Sequence, residues 1–181
     1  MNDTSLRGVA LGVIAMAVVV TASNILVQYP VNDWITWGAF TYPLAFLVTD
    51  LTNRALGPDR ARKVVYAGFA LAVILSILLA DARIALASGT AFLVAQLLDV
   101  TIFDRLRRAP WWQAPLASST LGSATDTALF FSLAFAGTGL PWITWAVGDL
   151  GVKLAMALAL LIPFRALMTL IPAVRPRESS A

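Results

Sequence analysis

The stretch APLASSTLGSATDTALFFSLAFA, residues 114–136, has roughly the length of one helical membrane crossing. Its single formal charge, Asp126, falls near the middle. At helical spacing Ser118, Gly122 and Asp126 stack one turn apart, and Ser119, Ser123 and Thr127 form a parallel stripe beside them. Small residues of this kind let helices approach closely in lipid, where polar groups face the bundle interior. The far end, with Leu129, Phe130, Phe131, Leu133 and Phe135, is apolar all round. The stretch predicts a central helix with a polar inner face and one acid at membrane depth. An acid there is costly, and chains keep one for binding or transport, or to pair it with a basic neighbour.

Composition extends this reading to the whole chain. Of 181 residues, 59% are hydrophobic and 13% charged, with a mean hydropathy of +0.80. The acids are nine Asp and one Glu, and there is no Cys and no His. That composition excludes disulfides, thiol chemistry, Cys/His zinc sites, His proton shuttles and Ser-His-Asp triads. The net charge is +3, but the basic residues sit in short loops between apolar runs, where they read as topology signals rather than a nucleic-acid surface. The fold class is all-α: a polytopic membrane protein with six transmembrane helices, one domain over residues 1–172 and a short polar tail over 173–181.

The first span is predicted over residues 8–29. Val20-Thr21-Ala22 resembles a signal-peptide cleavage site, but the apolar run continues through Ile25-Leu26-Val27, so the span is expected to be retained. Asn24 and Gln28 lie one turn apart, placed to bond either a ligand or a neighbouring helix. The second span, residues 34–51, contains Gly38 and Pro43, and the proline predicts a kink or a break. Asp50 and Arg54 have the spacing of an i,i+4 ion pair. The third span, residues 64–80, carries only Tyr66 and Ser76 as polar groups and reads as a packing helix.

In the fourth span, residues 84–103, Ser88, Phe92, Gln96 and Asp99 share one side, flanked by Ala87, Ala91 and Ala95. The loop before the fifth span holds Arg105, Arg107 and Arg108 followed by Trp111 and Trp112, an interfacial composition. The sixth span runs from residue 141 to at least 163. It carries Asp149 and Lys153 four apart, so an ion pair within the helix is expected.

With the N-terminus inside, eleven of the thirteen basic residues fall on the inner side, Arg83 falls outside and Lys153 lies within the membrane. This predicts cytoplasmic N- and C-termini. Trp34-Ile35-Thr36-Trp37 recurs as Trp142-Ile143-Thr144-Trp145, and both copies open a span on the outer side.

The runs SNILVQYP (23–30), TWGAFTYPLAFLVTDLTNR (36–54), RIALAS (83–88), QLLDVTIFDRLR (96–107), WWQAPLASS (111–119) and DTALFF (126–131) closely resemble the queuosine precursor transporters of bacteria. These belong to the vitamin-uptake-like group. The resemblance implies a six-helix importer in the bacterial inner membrane, carrying 7-cyano-7-deazaguanine and 7-aminomethyl-7-deazaguanine for tRNA modification. It also implies a fold similar to the substrate-binding subunits of energy-coupling-factor importers. Asn24, Gln28, Asp50, Arg54, Arg83, Gln96, Asp99, Asp126, Asp149 and Lys153 are carried over as motif positions.

A deazaguanine is flat, with an N–H/NH2 edge that suits a carboxylate and a carbonyl that needs a donor. Asp126 is the expected acceptor, with Asp99 as the reserve. Gln96, Asn24 or Lys153 are the expected donors, and Phe92, Trp37 or Trp145 the stacking faces. Spans one, four, five and six must then converge. No cofactor is implied, and the partners are the small-molecule substrate, the lipid bilayer and a homodimer mate, with no nucleic acid. An alternative is a binding subunit that docks on a separate ATP-driven module, since the chain has no GxxxxGK[ST] motif. An intramembrane enzyme is disfavoured by the lack of Cys, His and a metal box.

Overall fold

The computed structural model describes residues 3–26, 29–32, 35–79 and 82–171. Gln28, the boundary residues Asp33 and Trp34, and the tail with Arg175 and Arg177 lie outside the described residues. In chain order, α1 (Asp3–Leu26) leads to a small ribbon of β1 (Pro30–Asn32) and β2 (Ile35–Thr36). One helical turn, α2 (Gly38–Thr41), precedes α3 (Leu44–Leu56) and α4 (Pro58–Leu79). Then come α5 (Ala82–Arg105), α6 (Gln113–Phe135), α7 (Trp142–Ala159) and α8 (Leu161–Met168). The fold is all-α apart from the ribbon. There the Ile35 amide donates to Asn32 Oδ1 at 3.0 Å, a turn that an Asn side chain favours.

The second span starts later than expected, because Ile35 and Thr36 belong to the ribbon, and its ladder is disturbed at Pro43. Pro43 has no N–H to donate, so the helical ladder is interrupted and replaced by short-range bonds: Ala45 N to Tyr42 O at 3.0 Å and Phe46 N to Pro43 O at 3.1 Å. The run is therefore a ribbon followed by α2 and α3, whose backbone keeps helical torsions through Tyr42 and Pro43 while the bonding tightens at the proline. At its far end Gly57, with φ 89°, ends α3, and Pro58 opens α4 at once. Residues 58–63, expected as loop, are helical. The sixth span is also divided, at Leu160, because Pro163 removes a donor from the turn that follows.

Close packing is set by small residues. A Cβ on Gly68 of α4 would stand 2.5 Å from Met16 Cγ of α1, so only glycine allows these helices to meet. At Gly122 of α6 a Cβ would be 2.7 Å from Phe46 Cε1 of α3. One apolar core gathers Met16, Val20, Ala45, Val64, Val65 and Phe92, and a second joins Phe103, Ala114 and Phe164. The outward faces carry large apolar side chains such as Leu11, Val18, Leu78, Leu86 and Ile162. Among the described residues, three helical stretches are long and apolar enough to cross a membrane: Leu6–Leu26, Ala82–Arg105 and Trp142–Met168.

Arg54, Arg60, Arg62, Lys63, Arg105, Arg107, Arg108 and Arg165 gather at the end of the bundle formed by the α3–α4 junction, the α5–α6 connection and α8. Arg83 lies at the opposite end. It donates to Leu133 O at 2.9 Å and Ala136 O at 2.6 Å, satisfying carbonyls at the C-terminus of α6.

Candidate functional site

Asp126, buried in the middle of α6, is not a lone acid. Its Oδ2 accepts from Lys153 Nζ at 2.7 Å and its Oδ1 from the Tyr42 hydroxyl at 3.1 Å. Lys153 also reaches Asp149 Oδ2 at 2.5 Å, across one turn of α7, and donates to Thr127 Oγ1 at 3.2 Å. Thr127 in turn donates to Asp149 Oδ2 at 2.7 Å. The ammonium stands 5.3 Å from the centre of the Tyr42 ring, a cation–π distance. All three N–H groups of Lys153 are thus occupied. Two carboxylates share one ammonium, which leaves the group with an excess of one negative charge when all three are ionised.

This network forms one wall of a cavity of about 600 Å³, within the usual range for small-molecule sites. The cavity lies at the end of the bundle that carries the ribbon. The wall residues come from α1 (Asn24), α5 (Ser88), α6 (Asp126, Phe131) and α7 (Trp145, Asp149). Helices α1, α5, α6 and α7 therefore meet here, joined by Tyr42 between α2 and α3. The Asp149 side chain is 19% exposed against 5% for Asp126. Among the described residues its Oδ1 has no hydrogen-bond partner, while both oxygens of Asp126 are engaged. The Trp145 ring stands edge-on to Phe135, with centroids 5.7 Å apart, and both line the cavity. Asn24 lines it too, although its amide nitrogen donates to Val20 O of its own helix at 2.9 Å.

Other expected site residues lie elsewhere. Phe92 is buried in the α1–α4–α5 core, edge-on to Tyr42 at 6.2 Å, and is not on the cavity wall. Trp37 is half exposed next to Phe40, also off the wall. Gln96 is fully buried, and its Oε1 accepts from Thr49 Oγ1 at 2.6 Å. Asp99 is fully buried against α3 and α6, away from the cavity. The Asp50–Arg54 pair does not form among the described residues. Asp50 accepts instead from Ser118 and Ser119, whose small side chains bring α6 against α3. Arg54 turns to the basic end, where burial and the charges of Arg107 and Arg165 lower its pKa.

Tyr42 is the principal site residue that sequence reasoning missed. Its signal was its place directly before Pro43, where a broken helix aims side chains inward. Thr127 was noted only as part of a packing stripe.

A family profile described as "Putative vitamin uptake transporter" matches residues 36–82 and 77–168. The "Queuosine precursor transporter" of Escherichia coli (strain K12) is 36% identical over 174 residues, which is 80% of this chain and 79% of that protein. The "Probable queuosine precursor transporter" of Haemophilus influenzae is 34% identical over 186 residues, again 80% and 79% of the two chains. The "Probable queuosine precursor transporter" of Bacillus subtilis (strain 168) is 28% identical over 130 residues, 56% of this chain and 57% of that protein. No solved structure matches the chain.

Proposed function

The chain belongs to the vitamin uptake transporter family, among the relatives that include queuosine precursor transporters, and from that premise we propose that it imports 7-deazaguanine precursors of queuosine through the cavity between α1, α5, α6 and α7. The observation that carries this reading is the Asp126–Lys153–Asp149 network on the cavity wall, two carboxyl groups to one ammonium, with Asp149 Oδ1 unpartnered among the described residues. A deazaguanine presents N–H and NH2 donors along one edge, which a site with surplus carboxylate accepts. Asp149 Oδ1 takes one of these donors, and a remaining lone pair on Asp126 takes the other. Lys153, whose donors are all engaged, holds the two acids in place. The ligand carbonyl is served by Ser88, whose hydroxyl has no partner among the described residues and lies on the wall, or by Asn24. Trp145 and Phe131 supply the flat apolar face.

In this reading the bundle crosses the bilayer six times. α1, α4, α5 and α6 each form one span; the α2–α3 and α7–α8 segments form the other two. The basic end faces the cytoplasm and the ribbon end, with the cavity, faces outward. Both 7-cyano-7-deazaguanine and 7-aminomethyl-7-deazaguanine are substrates. The test is uptake of each labelled compound by bacterial cells that cannot make them, with and without this chain. Absence of chain-dependent uptake of either compound sinks the proposal.

A further inference from the structure

A second buried polar group lies between the cavity and the arginine-rich end, and substrate binding does not use it. Asp50 of α3 is 1% exposed and Asp99 of α5 is 0% exposed. Ser118 and Ser119 of α6 donate to the two oxygens of Asp50 at 3.0 and 3.4 Å. The Asp99 carboxyl lies beside Asp50 and Ser118, and among the described residues neither of its oxygens has a partner at full hydrogen-bond geometry. Two further buried groups nearby are unpartnered. One is the amide nitrogen of Gln96, one turn before Asp99 on α5. The other is the hydroxyl of Ser123, one turn beyond Ser119 on α6.

No cation neutralises this pair among the described residues. Apart from each other, the two acids meet no charged group on α1, α4, α6 or α8. The nearest cations, Arg54 and Arg107, lie past Asn53, which holds Arg107 on its side-chain and main-chain oxygens and itself donates to Val100 O at 2.8 Å. Two carboxylates facing each other in a medium of low dielectric cannot both be ionised. The pair therefore holds one proton between its two carboxyl groups.

We propose that Asp50 and Asp99 together bind one proton, and that this proton is taken up and released once for each substrate imported. The coupling half of the proposal rests on the import reading; the proton site does not. The site is linked to the substrate cavity through two elements. Along α6, Ser118 and Asp126 share a face about 12 Å apart at roughly 1.5 Å per residue. Tyr42 and Asp50, on either side of the Pro43 interruption, bond these same two α6 residues. A movement of α3 against α6 therefore changes both sites together. The proton is shared between Asp50 and Asp99 while it is bound. With the uncharged 7-cyano substrate, one positive charge crosses per cycle.

The test uses the purified full-length chain in liposomes. Infrared spectra at neutral pH are expected to show the C=O stretch of a protonated carboxyl that is lost or shifted in both Asp50→Asn and Asp99→Asn. Labelled 7-cyano-7-deazaguanine is expected to accumulate several-fold when the lumen is made alkaline. Asp99→Asn, which mimics the protonated state, should keep binding and exchange of substrate but lose this gradient-driven accumulation. Asp50→Asn is the second variant, with the same expectation for accumulation if Asp99→Asn does not fold. Absence of a carboxyl band that depends on Asp50 and Asp99 overturns the proton site. Accumulation by the variants under the same gradient, or accumulation that follows a sodium gradient instead, overturns the coupling. A wild-type protein with the band and no uptake under any condition removes the import reading and leaves the proton site supported.

Discussion

Lys153 Nζ on α7 lies 2.7 Å from Asp126 Oδ2 on α6, and this contact between helices joins the two acids of the cavity wall into one unit. Sequence spacing alone assigns Lys153 to Asp149, four residues back on the same helix, and that bond is present as well. The shared ammonium is what makes Asp126 a structural as well as an electrostatic residue.

Removing the ammonium should therefore be severe. Lys153→Met leaves the buried carboxylate of Asp126 and the part-buried one of Asp149 without a counter-ion, a loss of about 3–5 kcal/mol for a broken buried pair. We expect a large fall in thermal unfolding temperature in detergent, partly restored by Asp126→Asn in the same chain. A Lys153→Met protein as stable as wild type would show that the network contributes little.

Asp149→Asn should separate binding from folding. Asp126 retains Lys153 in this variant, so the fold is expected to survive. The charged acceptor at the cavity is lost. Charge-assisted hydrogen bonds contribute about 1.5–3 kcal/mol, so affinity for a deazaguanine should fall roughly tenfold or more. Asp126→Asn should instead cost stability first, because it disengages both Lys153 and Tyr42. Calorimetric binding alongside thermal unfolding checks both, and wild-type affinity in folded Asp149→Asn would return the acceptor role to Asp126.

A polar pocket also discriminates by leaving the wrong ligand unpaired. Guanine-like edges should compete strongly with uptake and adenine-like edges weakly, because adenine lacks the paired N–H and NH2 donors. Equal inhibition by adenine and by a deazaguanine would sink the pocket assignment.

The contact of Phe46 with Gly122 separates the cavity from the Asp50–Asp99 pair. In Gly122→Ala the new Cβ would fall 2.7 Å from Phe46 Cε1 and 3.4 Å from Ala95 O. Overpacking of this kind costs about 1–3 kcal/mol. Adding Phe46→Leu should recover part of the lost stability, which thermal unfolding of the single and double variants will measure.

The chain's class was legible from its residues alone, because it depends on local quantities: the length of apolar runs, the scarcity of charge and the one-sided placement of arginines. Helix α6 was legible for the same reason, and so were Asp126, Asp149 and Lys153 as unusual charges in apolar surroundings. The extent of the proline interruptions was not, because Pro43 and Pro163 remove donors but neighbouring elements decide whether the chain bends or breaks. Nor could spacing assign partners. Gln96 and Asp99 share a helix face with Ser88, yet only Ser88 reaches the cavity, since α3 lies across the lower part of that face. Asp50 prefers the serines of α6 to Arg54, its neighbour on the same helix. Which carboxylate oxygen stays open, and which acids face each other without a cation, depends on how three or four helices pack. That is settled by small residues such as Gly122 and Ser118 at the points of closest approach, where only the tertiary structure determines which atoms meet.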